Sequence, residues 1–266
     1  MITNSDLDRY IASIPSLPKV VRDCVKALND GDLVAAANFA KEDKALMFYL
    51  KDIVNKPIYG FRTEIKDANQ LFGILGLGRA RQILQAYYTK LISPTKWEVF
   101  ELNSQVFQEF QADLMVKWGN ILSFCKNNDS EVLKTASIIP AALAAAEAIF
   151  REHLETLNVL KSQHAFSYDY ILKKTTGYNF KDIIIQIAKK WELTSKSVEF
   201  VELLYEDEYK NDTVEYLKLL IQYELSRPNL MQSGANDLFE FDSFANEELI
   251  ENFYKIIEKA ESEANS

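Results

Sequence analysis

Over residues 16–29 the run SLPKVVRDCVKALN sets Val20, Val21, Cys24, Val25 and Leu28 at the spacing of one helical face, with Pro18 tolerated in the first turn. Asn29, Asp30 and Gly31 then stop that helix. Asp32 is placed to cap a second short helix through Ala40, and Asp43 a third in which Leu46, Leu50, Ile53 and Val54 recur at helical intervals. The connection NKPIYGFRTEIKD follows, punctuated by Pro57 and Gly60 and given apolar anchors by Ile58, Tyr59 and Phe61. Asp67 caps the next helix, ANQLFGIL. Gly76 and Gly78 in LGLG predict a sharp turn before a further helix, RARQILQAYYTKLI, which Ser93 and Pro94 end.

Beyond Pro94, TKWEVFELNSQVFQEFQADLMVKWGNILSFCKNN is apolar at helical period up to a turn at residues 127–130. Residues 136–150, ASIIPAALAAAEAIF, form an apolar run broken by one proline and one glutamate. Amphipathic helical stretches are expected around residues 168–172 and over 180–191, 197–205, 213–225 and 247–260. No segment requires a strand and no repeat of fixed period occurs. The fold class is therefore all-α, with a helical part at 1–94 and a second at 95–266 joined into one unit.

Composition narrows the function classes. Only 8 glycines and 6 prolines in 266 residues weigh against turn-rich sandwiches and barrels, while 48% hydrophobic residues are enough for a sizeable core. A net charge of −9 argues against broad phosphate-backbone binding, which needs clustered Lys and Arg, but leaves room for a local basic patch. Cys24 and Cys125 are solitary, read as small core residues, and fit a reducing compartment. MITNSDLDRY lacks the features of a signal sequence, and no apolar run reaches the ~18 to 20 residues of a membrane helix, so a cytoplasmic location without membrane insertion is expected.

Candidate chemistry is sparse. The glycines of GILGLGRAR could cradle a phosphate, yet the preceding element is helical where a dinucleotide fingerprint needs a strand. The same segment could be a helix-turn-helix with Arg79 and Arg81 opening its second helix, against which the acidic total weighs. His153 and His164 stand eleven positions apart, so no HExxH set exists, and Glu147, Glu152 and Glu155 read as a solvated charged face. Glu206, Asp207 and Glu208 lack the spacing of a calcium loop, and no GxSxG presents a serine.

Three stretches together resemble the HDOD family, bacterial signalling domains related to HD-type metal-dependent phosphohydrolases. IPSLPKVVRDCVKALN is similar to the family's opening helix. KEDKALMFYLKDIVNKPIYGFRTEIKDANQLFGILGLGRARQIL matches its most specific pattern through Asn55, Pro57, Tyr59, Gly60, Leu75 and Gly76. GYNFKDIIIQIAKKWELTSKSV places Gly177, Trp191 and Leu193 where the family keeps a glycine and a tryptophan-x-leucine pair. The resemblance covers most of residues 8–205, and implies that the second part is a degenerate HD-like bundle. By that alignment Pro140 and Ala141 occupy the His-Asp positions of the metal site, Phe180 another histidine position, Leu204 and Tyr205 a histidine pair, and the helix containing residues 107–118 has no histidine.

The reading that follows is a non-catalytic signalling adaptor with no cofactor that binds a protein partner. Its candidate anion- or partner-receiving surface spans Lys56 to Arg62 and Arg79 to Arg81, with Arg62, Arg79 and Arg81 as its binding residues; Gly78 and Trp191 join the structural motif. The alternatives are a divergent HD-type metal-dependent phosphohydrolase and a small-molecule sensor using the cavity of the lost site.

Overall fold

Helix caps organise the first third of the molecule. The computed structural model describes residues 2–61, 63–164, 166–206, 211–239, 241 and 245–264. Helix α1 (Asn4–Ser13) starts at Thr3, which shares a reciprocal capping box with Asp6. It is absent from the apolar pattern because it buries only Leu7. Helix α2 (Lys19–Asn29) buries Val21, Cys24, Ala27 and Leu28, and ends where Gly31, at φ 81°, lets the N–H groups of residues 31 and 32 reach back to the carbonyls of Leu28 and Ala27. Asp32 and Asp43 cap α3 (Leu33–Glu42) and α4 (Lys44–Val54) as their positions require.

The connection after α4 is tied by one side chain. Asn55 Nδ2 donates to the carbonyls of Lys51 (2.8 Å) and Ile65 (3.1 Å), and Oδ1 accepts from Ile65 N–H (2.8 Å), which closes the loop around a 3-10 turn at Pro57–Tyr59. Helix α5 (Ala68–Ile92), capped by Asp67, bends at Gly76, whose φ 66° and ψ 178° only glycine adopts readily. Gly78 is helical, so the expected two-glycine turn reduces to Gly76. Gly78 instead sits against Leu133, whose Cδ2 would be 3.5 Å from an added Cβ.

The long periodic run after Pro94 divides. Residues 95–103 are not helical, and α6 (Ser104–Phe124) begins only at the Asn103 cap. What holds the loop is Glu147, fully buried, whose carboxylate accepts from the N–H groups of Glu98 (2.6 Å), Val99 (3.0 Å) and Phe100 (3.2 Å). This corrects the expected solvated face: Glu152 and Glu155 are exposed, but Glu147 is an interior clamp that seats Trp97 and Phe100 in the core.

Helices α7 (Ser130–Ile138) and α8 (Pro140–Phe150) run through the centre, with α5 packed on both. Alanines at 141, 142 and 144–146 are fully buried and let the neighbouring helices approach closely. After a 3-10 turn at Arg151–His153 come α9 (Leu154–His164), α10 (Tyr168–Thr176), α11 (Phe180–Lys190) and α12 (Ser195–Leu203). The stretch 130–162 is helical and apolar enough to cross a bilayer by length and composition, yet 83% of its most apolar window is buried inside the protein. Helix α13 (Asp212–Leu225) and, beyond α14 (Pro228–Gln232), helix α15 (Glu247–Ala264) pack on α6, so these C-terminal helices belong to the same body. One apolar core runs through all of it, and no strand occurs among the described residues.

Candidate functional site

The positions aligned with a metal site lie on adjoining elements and face inward. Pro140 and Ala141 open α8 and are buried; Phe180, the first residue of α11, is fully buried, with its ring centroid 6.1 Å from that of Phe150. Phe150 in turn packs on Tyr168, and Tyr168 on Phe100, at 5.5 and 5.0 Å. Leu204, just after α12, is buried, and Tyr205 meets Phe241 edge to face at 5.1 Å. Burial, aided by the nearby carboxylates of Asp169 and Asp182, pushes the Tyr205 hydroxyl well above its ordinary pKa, so it stays protonated. In α6, Phe107, Phe110 and Trp118 are likewise buried. Pro140, Ala141, Phe180, Leu204 and Tyr205 line none of the five cavities found among the described residues.

Metal-ligand chemistry is thin elsewhere too. Among the described residues no group of three or more His, Cys, Asp or Glu side chains is placed to hold a metal ion. His153 Nε2 lies 3.3 Å from Asp6 Oδ2, a contact that joins the turn after α8 to α1. The side chain of His164 lies outside the described residues, as do Asp207 and Glu208 of the acidic run. Burial raises the Cys24 thiol to about 12, and Cys24 Sγ–H donates to the Ala36 carbonyl, which suits an inert core residue.

The arginines expected to share one surface part company. Arg62 lies outside the described residues. Arg79 is exposed on the side of α5 that faces Tyr59, whose hydroxyl is driven up in pKa by burial and partly offset by that guanidinium. Arg81, two positions on, turns to the opposite side and donates through Nη2 to the Leu28 carbonyl at the C-terminus of α2, where a cation complements the helix dipole. Lys56 is paired with Asp52 at 3.6 Å. The basic surface expected over residues 56–62 and 79–81 thus does not include Arg81 beside Arg79.

A cavity that local sequence spacing does not reveal opens beside Arg81. Its wall takes Arg22 and Lys26 from α2, Arg81, Gln85 and Tyr88 from α5, Lys134 from α7, Trp191 and Leu193 after α11, and Thr194 and Ser197 at the start of α12. Trp191 closes α11 and is followed by Glu192 in the left-handed region at φ 54°. The N–H groups of residues 192 and 193 bond back to the carbonyls of Lys189 and Ala188, a geometry that fixes the indole. These residues come from separate helices, so no local motif could have announced them.

Comparison with known proteins decides the family. The HDOD domain profile matches residues 14–206. The chain belongs to the HDOD domain family. An HDOD domain protein with unknown function from Geobacter sulfurreducens shares the fold at a TM-score of 0.61 and 13% identity, over 98% of this chain and 97% of that one. A candidate metal-dependent phosphohydrolase from Shewanella amazonensis SB2B shares it at 0.53 and 13% identity, over 96% and 97%. No curated protein matches the chain. The likeness to the Geobacter protein extends over the C-terminal helices that the family profile leaves out.

Proposed function

We propose that this HDOD protein works by binding a protein partner in bacterial signal transduction, in the cytoplasm, and does not turn over a phosphoester. One observation carries the reading: the side chains at the positions aligned with the HD ligands, Pro140, Ala141, Phe180 and Leu204, are apolar and buried, and Tyr205 holds its proton. Hydrolysis in an HD site needs bound cations to activate water and stabilise charge, and these groups offer them no ligand atoms. Tilted aromatic rings pack around Phe180 at that spot, which also weighs against a sensor cavity there.

For the partner surface, exposed Arg79 beside the Asn55–Gly60 connection is, among the described residues there, a basic group with no ion-pair partner, able to receive an acidic side chain. The test is paired. Protein purified without chelators is analysed for transition metals and assayed on a phosphodiester, and tagged protein is used to capture partners from its native lysate beside an Arg79→Glu variant. Metal-free, inactive protein with a stoichiometric partner that the variant loses is the expected result. Stoichiometric metal with chelator-sensitive turnover would replace this reading by a divergent HD-type phosphohydrolase, the class named for the Shewanella relative.

A further inference from the structure

The cavity between α2, α5, α7 and the α11–α12 junction has an open volume of about 310 Å³, the size of a small organic ligand. Two of its donors are unmatched. Trp191 is 2% exposed, and its indole Nε1–H has no hydrogen-bond partner; Arg81 Nε, also out of contact with solvent, has none either. Buried N–H groups are almost always paired, because water lost on burial must be replaced by another acceptor. Trp118 Nε1, by contrast, donates to the Val132 carbonyl at 2.9 Å; the buried hydroxyls of Tyr10, Tyr49 and Tyr205 are unmatched too, but none of them belongs to the wall of this cavity.

The surrounding charge has one sign. Arg22, Lys26, Arg81 and Lys134 line the cavity against one acidic residue, Glu192. Glu131 stands close by, but its carboxylate is spent on Lys134, at 2.5 Å, and on the hydroxyls of Thr194 and Ser197. In a chain of net charge −9, this leaves three cations without an acidic partner in the wall. The rest of the lining is apolar: Leu17, Val25, Leu193 and the rings of Tyr88 and Trp191, set edge to face at 5.6 Å.

We infer that this cavity is a ligand site for a small organic anion, a phosphate monoester on a flat apolar body, whose phosphate meets the cations Arg22, Lys26 and Arg81 while its apolar part lies against Tyr88, Trp191 and Leu193. The site is separate from the residues aligned with the HD metal centre. It does not depend on the adaptor reading, and it would let a metabolite set how the N-terminal helices sit on the central ones.

The test follows the tryptophan indole N–H signals of isotope-labelled full-length protein by NMR, the Trp191 signal being the one lost in Trp191→Phe. Phenyl phosphate is the probe and neutral benzyl alcohol its control. Phenyl phosphate should move the Trp191 signal saturably while those of Trp97 and Trp118 stay in place, and benzyl alcohol should not. Arg81→Lys, which keeps the charge but loses the guanidinium fork, should weaken binding at least about tenfold. Lys26→Gln leaves the contact with Leu28 intact, so the fold is not at risk, and should weaken binding about two- to fivefold. Failure to move the Trp191 signal, equal binding of benzyl alcohol, or unchanged affinity in Lys26→Gln would overturn the assignment.

Discussion

Between α6, α13 and α15, Lys117 donates to Glu224 and to Glu261, both at 2.7 Å, while Arg227 bridges Glu224 and Asp113, and the Tyr223 hydroxyl donates to Glu261. Between α2, α5 and α12, Arg81 satisfies one backbone carbonyl and leaves Nε unmatched beside the unmatched Trp191 indole. Both regions take charge out of water; they differ in where the counter-charge comes from. The first holds three carboxylates to two cations and, below about pH 6, makes good the difference with a proton: burial and the Glu224 carboxylate push Asp113 up to about 6, against the pull of Arg227 and Lys117. The second has a surplus of cations and donors and opens onto a cavity. The interior network binds the C-terminal helices to α6; the open one has cations to offer.

If the network is structural, removing one member should strand the rest. Lys117→Met leaves Glu224, fully buried, with Arg227 alone, and should cost about 3 to 5 kcal/mol. A urea unfolding midpoint reads this directly, and a loss under 1 kcal/mol would mean that solvent or movement of α15 compensates.

The surplus carboxylate predicts a pH dependence. Because the folded-state pKa of Asp113 is raised to about 6 from 3.8, the folded protein holds a proton between those values that the unfolded chain does not. The contribution of this group to stability is therefore fully present below the unfolded pKa, falls as pH rises from about 4 to 6, and is level above. The change is on the order of 2 kcal/mol. Other carboxylates, Glu131 and Glu261 among them, have lowered pKa values and work the other way at the acid end of the curve. Comparison with Asp113→Asn isolates the term: the difference between the two pH profiles should carry the slope, and parallel profiles would remove Asp113 as the proton's home.

The cavity should behave in the opposite sense to the network. Trp191→Phe removes a donor that has no protein partner, so no acceptor is stranded, and the remaining cost is the smaller ring's lost packing against Tyr88. We expect a change of about 1 kcal/mol or less, by thermal or urea unfolding. A loss as large as that of Lys117→Met would show that the indole is held by the protein after all.

How much of this was legible in the sequence follows the range of each interaction. Asp32, Asp43 and Asp67 act on N–H groups two or three residues away, so their helices could be placed from spacing alone. Pro57 and Gly60 were marked by punctuation, and Asn55 by the family resemblance they share. Glu147 acts on N–H groups nearly fifty residues away, and its neighbours in sequence gave it the look of a surface helix. Apolar side chains at the HD-equivalent positions could be read by alignment, but their packing into an aromatic core could not. The cavity was beyond reach because Lys26, Arg81, Lys134 and Trp191 come from four separate parts of the chain. Arg79 and Arg81 show the limit most clearly. Two residues apart on a helix they point in nearly opposite directions, so a basic cluster in the text became two separate sites in space.

The smallest predicted effect concerns the turn that sets those two directions. Gly76 bends α5 with a backbone that other residues adopt only at a cost, whereas Gly78 is helical and approaches only the tip of Leu133. An alanine Cβ at 78 would stand 3.5 Å from Leu133 Cδ2, an ordinary contact, and would remove the entropic penalty of a helical glycine. Gly78→Ala should therefore stabilise the protein by about 0.5 to 1 kcal/mol and leave phenyl phosphate binding unchanged, because Arg81 keeps its place against Leu28. A destabilised variant would mean that α5 and α7 are packed more tightly there than the 3.5 Å gap allows. A stable variant with weakened binding would show that the helix register after Gly76, and not the side chains alone, positions Arg81 at the cavity.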